Sequence, residues 1–220
     1  MPAIHVFVET SWVVDCCAPS HFRAPGAMSL LQQARGGSLT IHVPGVCLSE
    51  GRNVIRKKFQ PRYPLDPLRR YIRWAGDQRE IDDTTADTVR RLLERYERFV
   101  SAELDNLETT VGDFMKAPGV EVFPLSEPML ERSLTLTNEK LDLHAFDNSI
   151  LAAILTRAEE IEAQDRACEL FFCTLDGDLQ PWDKNGNMKQ VLRRLYDEAR
   201  IWVYGDFEMS SHERPADWPK

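Results

Sequence analysis

The sequence lacks the short motifs that mark several large enzyme classes. It has no GxxxxGK[ST], GxGxxG, GxSxG or HExxH pattern, which argues against P-loop nucleotide hydrolases, dinucleotide-binding enzymes, α/β-hydrolases and HExxH zinc proteases. No apolar run approaches the roughly 20 residues that cross a bilayer, so no membrane partner is expected. The opening residues, MPAIHVFVET, contain no basic segment and no signal-like apolar core, and we expect them to begin a domain directly.

Cysteine is also scarce. The five cysteines are odd in number and form no CxxC pair, so neither a disulfide framework nor a zinc site is expected. This usage is typical of reduced, mostly buried thiols in a cytoplasmic protein. The five residues are Cys16, Cys17, Cys47, Cys168 and Cys173.

Positive charge is in deficit overall but concentrated in one stretch. The 220-residue chain has a net charge of −8, yet Arg52–Arg73 contains eight cations and one anion. This basic stretch therefore carries +7 and leaves −15 on the rest of the chain. A local basic patch can bind phosphates whatever the sign of the total charge, although a solvated helix face has a similar composition. The candidate phosphate-binding residues are Arg52, Arg56, Lys57, Lys58, Arg69, Arg70 and Arg73.

Strand and helix patterns alternate along most of the chain. Short apolar runs predict strands at Ile4–Val8, LTIHVPG, VEVFPL, LFFCTL and Ile201–Tyr204, and helical patterns separate them. Thr10 is the expected N-cap of the first helix, and the helix after LTIHVPG is expected to begin near Leu48. This alternation predicts an α/β fold, an α/β/α sandwich with a mainly parallel central sheet.

Residues 60–117 interrupt the alternation and predict an inserted helical segment. Apolar residues recur at three- and four-residue spacing from Val89 to Phe114, which predicts one long amphipathic helix. Its apolar face would pack on its own domain or on a second copy in a homodimer. We therefore expect a single domain over residues 1–205, followed by a mobile C-terminal tail over 206–220.

Acidic residues fall at one predicted edge of this sheet. Glu9 directly follows the first strand, Asp176 and Asp178 follow LFFCTL, Glu50 lies in the first turn of a helix after the second strand, and Asp147 begins another helix. Ligands of open α/β sheets bind beyond the carboxyl ends of the strands. These acids also have ordinary alternative roles. Asp147 and Glu50 could be first-turn acids that interact with the helix dipole, and Asp176 and Asp178 could belong to a plain turn.

Glu9 fits an ordinary role worst, because it interrupts apolar sequence and its charge must be compensated if it is buried. Carboxylates gathered without a cation repel each other. Mg²⁺ or Mn²⁺ would relieve that repulsion, because these ions prefer carboxylate and water oxygens. The pattern therefore predicts a metal ion beside Glu9.

The motifs resemble, in order, those of the PIN-domain ribonucleases, a family that includes many bacterial toxins of toxin–antitoxin pairs. VFVETS matches the opening strand followed by an acid and Thr or Ser, and IHVPGVCLSE matches the second strand, the proline and the acid at Glu50. FDNSILAAIL matches the third acid at Asp147, and FFCTLDGDL matches the last motif through Thr174, Asp176 and Asp178. The resemblance covers about residues 3–59 and 118–205. The chain departs from it in having Glu9 where Asp is usual and in its long insertion.

The resemblance implies cleavage of RNA with Mg²⁺ or Mn²⁺, and it is compatible with an antitoxin or other protein partner, whose presence the sequence leaves open. It implies that Glu9, Asp147 and Asp176 ligate metal and that Glu50 and Asp178 hold a second metal or orient its water. Thr10 and Thr174 could support these acids, although capping is their simpler role. The cations of the basic stretch become candidates for RNA binding.

Two other function classes remain open from the residues. Asp176–Gly177–Asp178 suggests a haloacid-dehalogenase-like phosphatase, but that family places its DxD after the first strand, where this chain has Glu9 and Ser11. The other class is a non-catalytic PIN-like module that binds RNA or protein, which the Glu9 departure supports. His144, three residues before Asp147, could approach the site, although a structural role is the simpler reading.

Overall fold

Five short strands form one sheet in which every neighbouring pair is parallel, in the order β3-β2-β1-β4-β5. The computed structural model describes residues 2–139, 141 and 143–210. Both faces of the central strand are covered, since Val6, Phe7 and Val8 are fully buried, and the architecture is consistent with an α/β/α sandwich. The strands are β1 (Ile4–Val8), β2 (Thr40–Pro44), β3 (Val120–Phe123), β4 (Glu169–Cys173) and β5 (Ile201–Tyr204).

Nine α-helices connect or extend these strands within the described ranges. None of them is both long enough and apolar enough to cross a membrane. A short 3₁₀ helix also lies at Ser20–Phe22. The helices are α1 (Thr10–Cys17), α2 (Pro25–Arg35), α3 (Gly45–Lys58), α4 (Arg62–Asp77), α5 (Asp83–Asp105), α6 (Leu107–Met115), α7 (Glu127–Thr137), α8 (Ala145–Gln164) and α9 (Gln190–Glu198).

The helix after β2 begins earlier than predicted. Pro44 ends the strand and is the N-cap of α3, because its ring fixes φ and it has no N–H for the ladder. At Gly45 a Cβ atom would lie 3.3 Å from the Phe123 carbonyl oxygen, so glycine lets the helix start against β3. As a result Glu50 lies in the second turn of α3, where the helix dipole contributes little.

The predicted long helix of the insertion is two helices. The break is at Asn106, between α5 and α6. Leu107, Val111 and Phe114 of α6 are buried in the main core, with the Phe114 ring 4.6 Å from that of Trp12. The apolar spacing continues across Asn106, and therefore the sequence pattern shows no interruption where packing on the core turns the chain.

The packed chain continues past the predicted domain boundary at residue 205. Phe207 is buried in the core, and the Asp206 carboxylate accepts hydrogen bonds from the backbone N–H groups of Glu208 and Ser210. The rest of the predicted tail, residues 211–220, lies outside the described residues.

A histidine pair, in which His42 is buried and His5 is half-buried, lies on the sheet away from the acidic edge. His5 Nδ1 and His42 Nε2 share a hydrogen bond of 2.9 Å, and His42 is almost fully buried. Its Nδ1 lies 3.2 Å from Glu121 Oε2 but without hydrogen-bond geometry. Burial, assisted by the nearby His5 and Arg157, lowers the pKa of His42 to about 3.

Acidification should therefore weaken the fold through His42. The unfolded chain takes up a proton near the ordinary histidine pKa of about 6.5, whereas the folded chain resists protonation until about 3. Stability is full above the unfolded pKa and falls as the pH drops below it, by about 2 kcal/mol between pH 7 and pH 5. Denaturant unfolding of the wild type and His42→Phe at both pH values measures this loss as a difference between the two proteins. Equal losses in both proteins would contradict the prediction.

Candidate metal centre

Four of the five predicted acids line one open pocket at the carboxyl edge of the sheet. Glu9, Glu50, Asp147 and Asp176 surround a space of about 340 Å³. Glu9 follows β1 and Asp176 follows β4, and these two strands are paired in parallel register. Four segments far apart in sequence thus bring carboxylates to one place. Asp178 is not part of the lining.

Hydrogen bonds within the chain compensate the burial of Glu9. This residue is 3% exposed and is the N-cap of α1, where Thr10 was predicted. Its Oε2 accepts from the Ser11 N–H at 2.6 Å, and its Oε1 accepts from the Ser11 hydroxyl and from Thr174 Oγ1, the latter at 3.1 Å. Burial raises the pKa of Glu9, and these bonds oppose that shift. They account for a buried Glu9 without a metal ion, and the role of Glu9 as a ligand stays a prediction.

Thr174 joins two of the acidic segments. Its Oγ1 donates to Glu9 and accepts from the Asp176 N–H at 3.0 Å. Asp176 Oδ1 in turn accepts from the Asp178 N–H at 2.9 Å, which forms an Asx turn. The ammonium of Lys189 donates to the carbonyl of Gly177 at 2.5 Å and holds the loop from outside. Thr174 therefore positions Glu9 and the start of the turn together.

Glu50 is held by Thr10 and by close packing of two helices. The Thr10 hydroxyl donates a short hydrogen bond to Glu50 Oε2. Beside it, a Cβ atom at Gly51 would lie 2.7 Å from Val13 Cγ1, so glycine is needed for α3 to approach α1 this closely. Thr10 thus contacts a pocket carboxylate and is not the helix cap.

Asp147 experiences the charge of the other acids. Burial raises the pKa of Asp147, and the negative charges of Asp176, Glu50 and Asp178 raise it further, while His144 opposes the shift. His144 is the N-cap residue of α8 without a side-chain cap bond. Asp178 therefore contributes to the field of the pocket even though it does not line it. The electrostatic field in the pocket is therefore that of a site with excess negative charge.

One described cation lines the pocket, Lys58 at the end of α3. Its charge lowers the pKa of Asp15, another lining residue, against the larger effect of burial. The uncharged lining consists of the hydroxyl residues Thr10 and Ser11 and of apolar side chains such as Val54, Ile150 and Leu175. A single lysine against five lining acids leaves a negative balance.

The donor set is of the kind that hard divalent cations prefer, because it consists of carboxylate and hydroxyl oxygens. Among the described residues, however, no group of three or more His, Cys, Asp or Glu side chains is close enough together to hold a metal ion. The pocket therefore contains oxygen ligands that suit a divalent cation, but its carboxylate groups lie apart from one another. Each carboxylate oxygen can accept more than one bond, so the hydrogen bonds at Glu9 leave capacity for a cation.

Ion pairs compensate part of the basic stretch. Arg52 and Arg56 both bind Glu108, at 2.6 and 3.0 Å, and Arg69 pairs with Glu97 and lies 3.7 Å from Asp66. These three arginines serve the packing of α3 on α6 and of α4 on α5. Their proposed contacts with RNA are correspondingly weakened. Within the described ranges, the predicted RNA ligands that form no ion pair include Lys57, Arg70 and Arg73.

Sequence reasoning missed two residues of the site. Ser11 donates twice to Glu9, and no local signal indicates this cap, because glutamate is not among the preferred N-cap residues. Asp15 follows one helical turn after Ser11 and lines the same pocket, which the period of α1 could have indicated. Lys58 was predicted as an RNA ligand and not as a pocket residue.

No protein-family model, curated protein or solved structure matches this chain. The likeness to PIN-domain ribonucleases therefore rests on the four sequence motifs alone.

Proposed function

We propose that this protein is a metal-dependent ribonuclease that hydrolyses RNA phosphodiester bonds at the acidic pocket. The observation that supports it is the convergence of Glu9, Glu50, Asp147 and Asp176 from four segments on one pocket beyond parallel strands. A Mg²⁺ or Mn²⁺ ion bound there would supply an activated water and stabilise the charge that develops on the phosphate.

Neighbouring residues hold the proposed metal ligands in position. Ser11 and Thr174 hold the Glu9 carboxylate, Thr10 holds Glu50, and the Asx turn holds Asp176. Hydrogen bonds of this kind orient the metal ligands, and removal of one typically lowers metal affinity or activity 10- to 100-fold. Lys58 lines the same pocket, and its ammonium would bind a phosphate of the substrate.

The test is cleavage of a labelled single-stranded RNA with no metal, with Mg²⁺, with Mn²⁺ and with excess EDTA. We expect cleavage only with metal, because the carboxylates alone cannot generate the nucleophile. The same ions should raise the melting temperature, since a ligand at 100 times its Kd stabilises a fold by about 2.7 kcal/mol. Full cleavage in EDTA would contradict the proposal.

A second candidate is a non-catalytic module of the same fold that binds RNA or protein. Two observations favour it, namely that both carboxylate oxygens of Glu9 accept hydrogen bonds and that the carboxylates lie apart among the described residues. RNA binding without cleavage under every metal condition would select this candidate.

The proposed setting is a cytoplasmic toxin with an antitoxin, or a defence nuclease. The five free, buried cysteines support a reducing compartment. A small antitoxin-like reading frame beside the gene would identify the toxin setting.

A further inference from the structure

Helix α4 has an outer side that carries large aromatic residues. Its inner side buries Leu65 and Ile72, whereas Tyr63, Tyr71 and Trp74 are 74%, 56% and 53% exposed. At 3.6 residues per turn, spacings of eight and eleven place these three rings on one side of the helix. With Arg70 between them, they form a surface that we call the α4 face.

The rings of the α4 face are arranged for stacking. Tyr71 and Trp74 have centroids 5.9 Å apart and planes inclined by 32°. Exposed aromatic groups at this density are unusual on a surface without a ligand. All three residues are more than half exposed, and unpaired bases stack on exposed aromatic rings.

The positive charge of the α4 face is not neutralised by ion pairs within the described ranges. Arg70 and its neighbour Arg73 are exposed and form no ion pair within the described ranges, whereas Arg69 on the inner side is paired with Glu97. An uncommitted guanidinium beside aromatic rings binds phosphate and also stacks on bases. The ion-paired arginines of the basic stretch are thus distinct from this pair, namely Arg52, Arg56, Arg62 and Arg69.

The alternative occupants fit less well. In a two-fold dimer the same patch occurs on both subunits, so the interface would contain two copies each of Arg70 and Arg73 and no acid of the α4 face to pair with them. Duplex RNA presents its bases stacked within the helix and offers no free base face to Tyr71 or Trp74. Unpaired nucleotides can stack their bases on the rings and bind the arginines through their phosphates.

We propose that the α4 face binds single-stranded RNA by base stacking on Tyr63, Tyr71 and Trp74 and by phosphate contacts of Arg70. This inference rests on the proposed ribonuclease function and specifies its substrate class. Lys58 in the acidic pocket and Arg62 at the start of α4 are four residues apart, a reach of at most about 14 Å. Tyr63 and Trp74 span about 16 Å of helix, so one strand of several nucleotides could contact the face and reach the pocket.

The experiment measures binding without cleavage. Fluorescence anisotropy in excess EDTA gives the Kd of a labelled 12-nucleotide RNA, as a single strand and annealed to its complement. The variants are Trp74→Ala, Trp74→Phe and Arg70→Gln. The matched controls are Phe99→Ala and Arg91→Gln, because both residues are exposed on α5 outside the α4 face, and circular dichroism checks the fold of each.

We expect Trp74→Ala to weaken single-strand binding at least about 5-fold, the lower end of about 1–3 kcal/mol per stacked base. Trp74→Phe should restore most of the affinity, and Phe99→Ala should leave it unchanged. Arg70→Gln should reduce the slope of log K against log salt by about 0.7, and Arg91→Gln should not. The duplex should bind more weakly than the single strand.

Several outcomes would overturn the inference. These are equal binding of the duplex, equal losses in the α4 and α5 variants, or a Trp74→Ala protein whose main change in analytical ultracentrifugation is its oligomeric state. Because binding is measured in EDTA, binding that depends on the α4 face without metal-dependent cleavage would reject only the nuclease. Cleavage without dependence on the α4 face would reject only this inference.

Discussion

Asp147→Asn is expected to lower metal-dependent RNA cleavage at least about 100-fold. A metal ion supplies several kcal/mol of transition-state stabilisation, and each 1.36 kcal/mol is a factor of ten in rate. The same variant should melt at a higher temperature than the wild type without metal, because the charges of Asp176, Glu50 and Asp178 disfavour an ionised Asp147. Its stabilisation by Mg²⁺ or Mn²⁺ should shrink. Single-turnover cleavage and thermal unfolding with and without metal measure these effects.

Asp83→Asn is the matched control for Asp147→Asn. Both residues are acids in the first turn of a helix, and both substitutions remove one charge that favours the helix dipole, a loss of about 0.3–1 kcal/mol. If Asp147 is only such an acid, the two variants should both lose stability and keep wild-type cleavage. We expect Asp147→Asn to raise stability and lose cleavage, and Asp83→Asn to lower stability and keep cleavage. That result would show that Asp147 acts in the pocket and not only on the helix dipole.

Glu9→Gln should abolish most cleavage while preserving the fold. The amide oxygen can still accept from the Ser11 N–H, and the amide NH₂ can donate to the hydroxyls of Ser11 and Thr174, which now contact Glu9 Oε1. Removal of a buried charge should maintain or raise the stability of the metal-free protein, because burial raises the pKa of Glu9. We expect cleavage to fall at least about 100-fold for lack of the anionic ligand.

Glu9→Asp tests the length of this side chain. It withdraws the carboxylate by one carbon–carbon bond, and Mg²⁺ requires nearly ideal geometry at about 2.0–2.1 Å, so we expect cleavage to fall sharply. Stability should also fall, because the shorter side chain can still cap the Ser11 N–H but no longer reaches the hydroxyl of Thr174. Asp82→Ala, which removes the side-chain cap of α5, measures how far a weakened helix start alone lowers stability and cleavage. Wild-type cleavage in Glu9→Gln would leave Glu9 as a structural cap only, and higher cleavage in Glu9→Asp would identify decay from an ancestral aspartate.

The strands and the edge of the sheet that carries the pocket were predictable from local patterns. Ile4–Val8 and Ile201–Tyr204 have the predicted bounds, because apolar β-branched and aromatic runs favour buried strands. The gathering of Glu9 and Asp176 follows from parallel strands that end at one edge. Helix ends were predicted less well where packing decides them, as at Gly45 and Asn106.

The pairing of charged groups depended on contacts between distant segments. Glu9 is bonded by Ser11, two residues away, but also by Thr174, which directly follows β4 and is 165 positions along the chain. Sequence spacing indicated that the Glu9 charge needed compensation, and the resemblance offered Thr174 as a supporting hydroxyl, but neither identified the contact between Thr174 and Glu9. The reason is that burial of a carboxylate sets the need for donors, whereas the fold determines which donors come within bonding distance.

The basic stretch illustrates the same division. The sequence by itself determined a local charge of +7 and the amphipathic period that forms α4. Only the tertiary structure decided that Arg56 and Arg69 bind Glu108 and Glu97 from 52 and 28 positions away, while Arg70 stays exposed beside Trp74. Composition and period are local properties of a chain, but the partner of a charge is set by which helices pack together, because ion pairs form only at distances of a few ångströms.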